Sequence, residues 1–152
     1  MGPAPLRRRW SRRFIGFDAE TLYAVAADIE RYREFAPGCI SARIVEKTAD
    51  HWVVENVFGF GSTALSRFVS VARPAPPSGL SIRSQDGPWR DFAMDWTFQP
   101  AAESCLVVCE AILDFRSPLL ALLARLSAGE VERQVAAAFE NRARALNKER
   151  RI

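Results

Sequence analysis

Two hydrophobic periods run along this chain. In residues 92–98, Phe92, Met94, Trp96 and Phe98 fall on one face, and Asp91, Ala93, Asp95, Thr97 and Gln99 on the other, which is the two-residue period of a strand. In residues 105–115, Cys105, Val107, Cys109, Ala111, Leu113 and Phe115 form a uniformly apolar face, while the opposite face mixes Leu106, Val108 and Ile112 with Glu110 and Asp114. One buried face and one largely wet face predict an antiparallel sheet covered on a single side. Shorter runs rich in β-branched and aromatic residues predict further strands at 40–47, 52–60, 64–72 and 80–84, and a mixed aromatic stretch from Trp10 to Phe17 predicts a first strand. Turn signals separate them: Ala49-Asp50-His51, Gly59 with Gly61-Ser62, a proline-rich loop at 74–78, and Asp86-Gly87-Pro88.

Two segments carry the helical period instead. Asp18 can cap a helix in which Leu22, Val25, Ala26 and Ile29 recur, ending near Arg33 before Pro37-Gly38. Ser117-Pro118 is a hydroxyl cap followed by proline at the first helical position. Beyond it, Leu119, Leu122, Leu123, Leu126, Val131, Val135, Phe139, Arg142 and Leu146 trace a stripe that is expected to face the sheet. A helix of ~30 residues is ~45 Å long, and Gly129 permits a bend within it. The predicted order is strand, helix, about six strands, long helix. Only the last helix is long enough to cover the sheet.

The chain has 152 residues, which suits one domain spanning 1–152, with a core at about 14–146 and a basic N-terminal extension at 1–13. No apolar run reaches the length of a membrane span, and the first residues lack the apolar stretch of a secretory signal. The net charge of +3 is unevenly spread: residues 7–13 carry +5 and residues 142–151 carry +4, leaving −6 for the rest. Basic termini on an acidic body suit an anionic surface, either lipid headgroups or RNA, or simply keep two ends solvated. Arg7, Arg8, Arg9, Arg12 and Arg13 are the expected contacts.

Cys105 and Cys109 would lie roughly 13 Å apart on one strand face, too far for a disulfide or a shared metal. With a single histidine and Cys39 elsewhere, neither a zinc site nor a disulfide is expected, and three reduced thiols point to a reducing, cytoplasmic compartment. His51 stands beside Asp50 in a polar turn, and no nucleophile elbow, metalloprotease or phosphate-loop pattern is present. Asp91, Asp95 and Asp114 share the wet face, so nothing brings paired carboxylates into a cleft. The abundant chemistry is apolar: Phe58, Phe60, Phe68, Phe92, Met94, Trp96, Phe98, Leu113 and Phe115 are expected to face inward. Such residues fill a core or line a tunnel under the helix, and periodicity alone does not separate the two.

Four segments together resemble the coenzyme Q-binding START-domain family. Tyr32-Arg33-Glu34-Phe35-Ala36-Pro37-Gly38-Cys39 is similar to its aromatic–proline–cysteine turn, although some members carry tryptophan where Gly38 stands. Gly87-Pro88-Trp89 leading to Trp96-Thr97-Phe98 resembles its Gly-Pro-aromatic turn and Trp-x-Phe strand. Phe115-Arg116-Ser117 resembles the approach to its last helix, and Ala138-Phe139-Glu140-Asn141-Arg142-Ala143 its Ala-Phe-x-x-Arg-Ala signature. The order and spacing match from about Phe14 to Leu146.

The resemblance implies an α+β helix-grip (START/Bet v 1-like) fold, a curved antiparallel sheet wrapped around a long C-terminal helix. It implies no enzymatic cofactor and a hydrophobic ligand, ubiquinone or a similar prenyl lipid, carried for respiration or quinone synthesis. Tyr32, Phe35, Pro37 and Trp89 join the inward set as expected ligand contacts, with Leu122, Leu123, Leu126, Val135 and Phe139 from the helix. A peripheral place at the inner membrane would follow. The same family includes bacterial ribosome-association toxins, so a ribosome-binding regulator is the alternative, and a polyketide cyclase or dehydratase type of enzyme is the third. DNA is not an expected partner.

Overall fold

A computed structural model describes residues 4–60 and 64–150. Seven strands form one antiparallel sheet: β1 (Leu6–Ile15), β2 (Cys39–Lys47), β3 (Trp52–Phe60), β4 (Ala64–Ala75), β5 (Gly79–Ser84), β6 (Trp89–Pro100) and β7 (Ser104–Phe115). Their spatial order is β1-β7-β6-β5-β4-β3-β2, so the first two strands of the chain are the two edges. Between them run helix α1 (Ala19–Ala27), a short 3-10 turn at Ile29–Arg31, and α2 (Tyr32–Phe35). Helix α3 (Pro118–Arg150) is 33 residues long, ~50 Å. This is the helix-grip arrangement expected from the resemblance. Among the described residues, no helix is long and apolar enough to cross a membrane.

The strand alternation holds. Cross-strand partners Phe92–Leu113, Met94–Ala111, Trp96–Cys109 and Phe98–Val107 put both inward sets on the same concave face. Leu80, Ile82 and Ser84 continue it on β5, and Phe68, Ser70 and Ala72 on β4. The first helix is shorter than its period predicts. It stops at Asp28, where the backbone leaves helical geometry and its N–H donates to the Ala24 carbonyl. The Tyr32 hydroxyl donates to the Ala26 carbonyl, so the side chain beyond the break satisfies an acceptor at the end of α1. The proline-rich loop is partly strand: Pro74 pairs opposite Leu80, and the turn is confined to the residues that follow. The first strand begins at Leu6 rather than Trp10, so the basic N-terminal segment is an edge strand, paired from Leu6–Leu113 to Ile15–Ser104. The turn expected at Gly61-Ser62 lies outside the described residues.

The β5–β6 turn needs its glycine. Gly87 has φ +62°, and a Cβ there would meet the Arg67 carbonyl oxygen at 2.4 Å. This close approach is held by Asp86, whose carboxylate accepts from the Val69 N–H at 2.7 Å, and by Ser84, whose hydroxyl donates to the Val69 carbonyl at 2.7 Å. The turn is thereby pinned to the middle of β4.

Candidate ligand-binding face

The concave face carries two aromatic clusters. One lies at the end of the sheet where β7 runs into α3. Trp89 sits 4.5 Å from Phe115, 4.7 Å from Phe92 and 5.7 Å from Phe68 between ring centroids, and Phe58 stacks on Phe68 at 5.7 Å. The other lies under the second half of α3. Trp96 stacks on Phe139 at 5.1 Å and meets Trp10 edge-on at 5.7 Å, while Phe14 touches Phe139 and Phe17. Phe98 joins this cluster through Trp96 and Tyr23. Such ring pairs favour edge-to-face and offset geometries, which lock the rotamers of both clusters.

Met94 and Leu113 lie between these clusters, partly buried. The inner face is not wholly apolar: on β3, opposite Phe68, it carries an asparagine. Buried Asn56 places its Nδ2 3.0 Å from the Ser70 hydroxyl, 3.2 Å from the Phe68 carbonyl and 3.3 Å from the Val54 carbonyl. Its side-chain oxygen accepts no hydrogen bond among the described residues. This polar spot was not anticipated. Its parity was the available signal, because Asn56 falls in the inward phase between Val54 and Phe58.

The second half of α3 faces the sheet as its period predicts: Val135, Ala136, Phe139, Ala143 and Leu146 are buried or partly so, with Phe139 only 2% exposed. Its first half does not. Leu119, Leu122, Leu123 and Leu126 are 64%, 53%, 49% and 77% exposed, and the side chains turned inward are Leu120, Ala121 and Ala124. At 3.6 residues per turn, the four leucines point roughly opposite to the line through Ala121, Phe139 and Leu146. Leu122, Leu123 and Leu126 therefore do not face the sheet, contrary to the stripe expected from spacing. Leu120 and two alanines take the inward face along this half of the helix.

Tyr32 and Phe35 begin and end α2, where their rings meet edge-on at 5.6 Å, and Pro37 lies in the turn between α2 and β2. Burial pushes the Tyr32 phenol above its ordinary range. The Phe60 side chain lies outside the described residues.

The five arginines do not form one patch, because strand alternation divides them. Arg8 and Arg12 are on the inner side and reach α3. Arg8 donates two hydrogen bonds of 2.6 Å to the Glu132 carboxylate, and Arg12 approaches Glu140 at 3.6 Å. The Arg8 hydrogen bonds hold the Glu132 carboxyl below the usual range. Arg13 donates to the Ser104 hydroxyl at 3.0 Å. On the outer face Arg9 lies 3.8 Å from Glu110, and Arg7 and Arg9 share a shallow groove of about 420 Å³ with Arg83, Asp91 and Asp95. That groove mixes both signs of charge.

His51 is in the β2–β3 turn, 3.4 Å from Glu46 and 3.2 Å from the Thr48 hydroxyl, away from the concave face. All three cysteines are buried free thiols. Cys109 lies opposite both Trp10 and Trp96. Burial first, then the charges of Asp95, Glu132 and Glu110, push its thiol up to about 12.

With this geometry in view, three similarities bear on the chain. The ribosome association toxin RatA of Vibrio cholerae is 27% identical over 133 residues, covering 86% of this chain and 90% of that protein. The mitochondrial coenzyme Q-binding protein COQ10 homolog B of Xenopus laevis is 26% identical over 134 residues, covering 85% of this chain and 54% of that protein. Among solved structures, the Zhui aromatase/cyclase of a Streptomyces species superposes with a TM-score of 0.75 at 15% identity, covering 93% of this chain and 96% of that one. A sequence model of the family described as polyketide cyclase / dehydrase and lipid transport matches residues 15–140, most of the chain. By that match and by its START-like fold, this chain belongs to the polyketide cyclase / dehydrase and lipid transport family.

Proposed function

We propose that this protein binds and carries a hydrophobic, lipid-like ligand, a prenyl quinone of the ubiquinone class, without turning it over. The observation that carries this reading is the change of side-chain size along α3. Phe139 and Leu146 take the inward line at one end, while at the other it runs through Leu120, Ala121 and Ala124, in the same apolar cluster as Met94, Leu113 and Phe92. A mostly apolar lining with polar side chains at Asn56, Ser70 and Ser84 suits a ring bearing oxygen joined to a long tail. Tail burial is stabilised at ~25 cal/mol per Å² before binding costs. The name of the COQ10 relative supports the quinone class. On this reading Phe58, Phe68, Trp89, Phe92, Trp96, Phe98, Phe115 and Val135 shape the walls, and the protein acts in the cytoplasm or at the inner membrane surface.

The test is organic extraction of detergent-free protein followed by mass spectrometry, repeated after incubation with ubiquinone. A near-stoichiometric prenyl quinone supports the reading. An empty extract in both arms overturns it.

A second reading is favoured by one observation. The RatA similarity covers 90% of that protein, so a ribosome-binding regulator is its natural competitor. Salt-sensitive cosedimentation with ribosomal subunits would support it, and its absence at low salt would remove it.

A further inference from the structure

The exposed leucines of α3 have a chemistry of their own. Leu119, Leu122, Leu123 and Leu126 make one face two turns long on the first half of the helix, while the opposite face lies on the sheet. The stretch 115–129 contains Arg116 and Arg125 and no carboxylate. Both guanidiniums bond neutral oxygens only: Arg116 donates to the Gln85 carbonyl at 2.9 Å, and Arg125 to the Ala4 carbonyl at 2.6 Å. Neither has a carboxylate within ion-pair distance among the described residues, so both charges stand uncompensated. By contrast Arg8, Arg12 and Arg133 are paired with Glu132, Glu140 and Glu130.

The geometry points to the first half of α3 as a membrane-docking surface, whose occupant is an anionic lipid bilayer. The four leucines form an apolar face ~10 Å long on a helix ~10 Å wide. Even the whole exposed surface of these leucines falls short of the ~800 Å² per partner of a stable protein interface. It does match a short amphipathic segment lying in the headgroup region, with leucines dipping below and unpaired cations meeting anionic heads. The placement also fits. The Arg116 N–H bonds the Pro88 carbonyl at 2.9 Å, so the leucine face is at the sheet end where the β5–β6 turn and the Trp89 cluster lie. The small inward residues Ala121 and Ala124 are on the same two turns. A docked protein would thus present the alanine-lined end of its grip to the bilayer. The inference deepens the carrier reading by naming the surface that exchanges ligand with it, and it is carried by a different face of the helix.

Vesicle flotation of the full chain tests it, with phosphatidylcholine alone and with phosphatidylcholine plus phosphatidylglycerol. The wild type is expected to float with the anionic vesicles and much less with the neutral ones. The double variant Leu122→Glu, Leu126→Glu should lose at least tenfold in binding, and Leu122→Ala, Leu126→Ala covers the case in which the glutamates disturb folding. Replacing Arg116 and Arg125 by glutamine should cost about fivefold each, on anionic vesicles only. Val45→Glu, an exposed apolar site on the far edge strand, should bind as the wild type does. Wild-type protein that floats with neither vesicle, or leucine variants that float undiminished, would overturn the proposal. So would a sedimenting dimer that the leucine variants dissociate without any vesicle binding, because the face would then join two copies of this chain. Extraction of ubiquinone from wild type incubated without vesicles keeps the carrier reading separately testable.

Discussion

Arg8 and Glu132 are 124 positions apart and meet through paired hydrogen bonds of 2.6 Å, fastening the edge strand β1 to the final helix. Bidentate guanidinium–carboxylate pairing is among the stronger charge-assisted contacts, and this one is only partly exposed. The Glu132 carboxyl is held below its unfolded range, so its contribution is present above the ordinary carboxylate range, near pH 4–5, and is lost as pH falls through the depressed folded value. Glu132→Gln is expected to lower the Tm by at most ~4 °C at neutral pH. That difference should shrink in acid, and thermal melts of both proteins across pH check it.

The exposed and buried faces of α3 predict opposite outcomes for truncation. Phe139→Ala removes a ring that touches Phe14 and Trp96 and should cost about 3–5 kcal/mol. Leu126→Ala should stay within ~0.5 kcal/mol of wild type. Urea unfolding of the two variants reads both. A large loss at Leu126 would mean that the leucine face is covered in solution.

Cys39, Cys105 and Cys109 are buried, and burial raises all three thiols. A thiol-specific reagent at about pH 8 should therefore label almost none of the native protein, because the thiolate is scarce and shielded. In denaturant it should label all three free cysteines. Fast native labelling would show that the concave face opens on the time scale of the reaction.

Gly87→Ala should destabilise by about 1–3 kcal/mol, since a Cβ there clashes with the Arg67 carbonyl and the backbone is left-handed. Chemical denaturation measures it. A neutral result would mean that the β5–β6 turn moves away from β4 at little cost.

Added bulk at the alanine-lined end of the grip separates a hollow from a packed interior. On the proposed carrier role, Ala124→Phe is expected to weaken ubiquinone binding by at least tenfold with little change in Tm, because the added ring would take the ligand's place. Titration followed by tryptophan fluorescence, with a parallel melt, checks it. A strongly lowered Tm would instead mean that the space beneath Ala124 is already filled.

Much of this architecture was legible in the residues, and the exceptions have physical causes. Strict alternation in 92–98 and 105–115 reports a sheet with one covered face, and it located the concave lining directly. The long helix was legible in extent but not in orientation. Its apparent stripe jumps five residues between Leu126 and Val131, which turns the helix by roughly 140°. The core-facing line continues instead through alanines, whose small side chains give a weak hydrophobic signal. The arginines of β1 read as an exposed basic patch because their partners lie 91 to 128 residues away, that of Arg9 being Glu110, where no local pattern reaches. Asn56 stayed hidden inside a run dominated by its β-branched and aromatic neighbours.

The placement of the first two strands at opposite edges has a consequence for biogenesis. β1 has no ladder partner until β7, about a hundred residues later, has been made. Local hairpins from β2 to β7 can close as they emerge, but the chain's opening strand must wait with an unsatisfied backbone edge. Closure of the sheet is then a late, long-range event, and α3 arrives last to seal it through Glu132 and Glu140. During that interval the apolar interior is open to solvent. A hydrophobic ligand present at the time could be enclosed as the sheet closes, rather than threaded in afterwards.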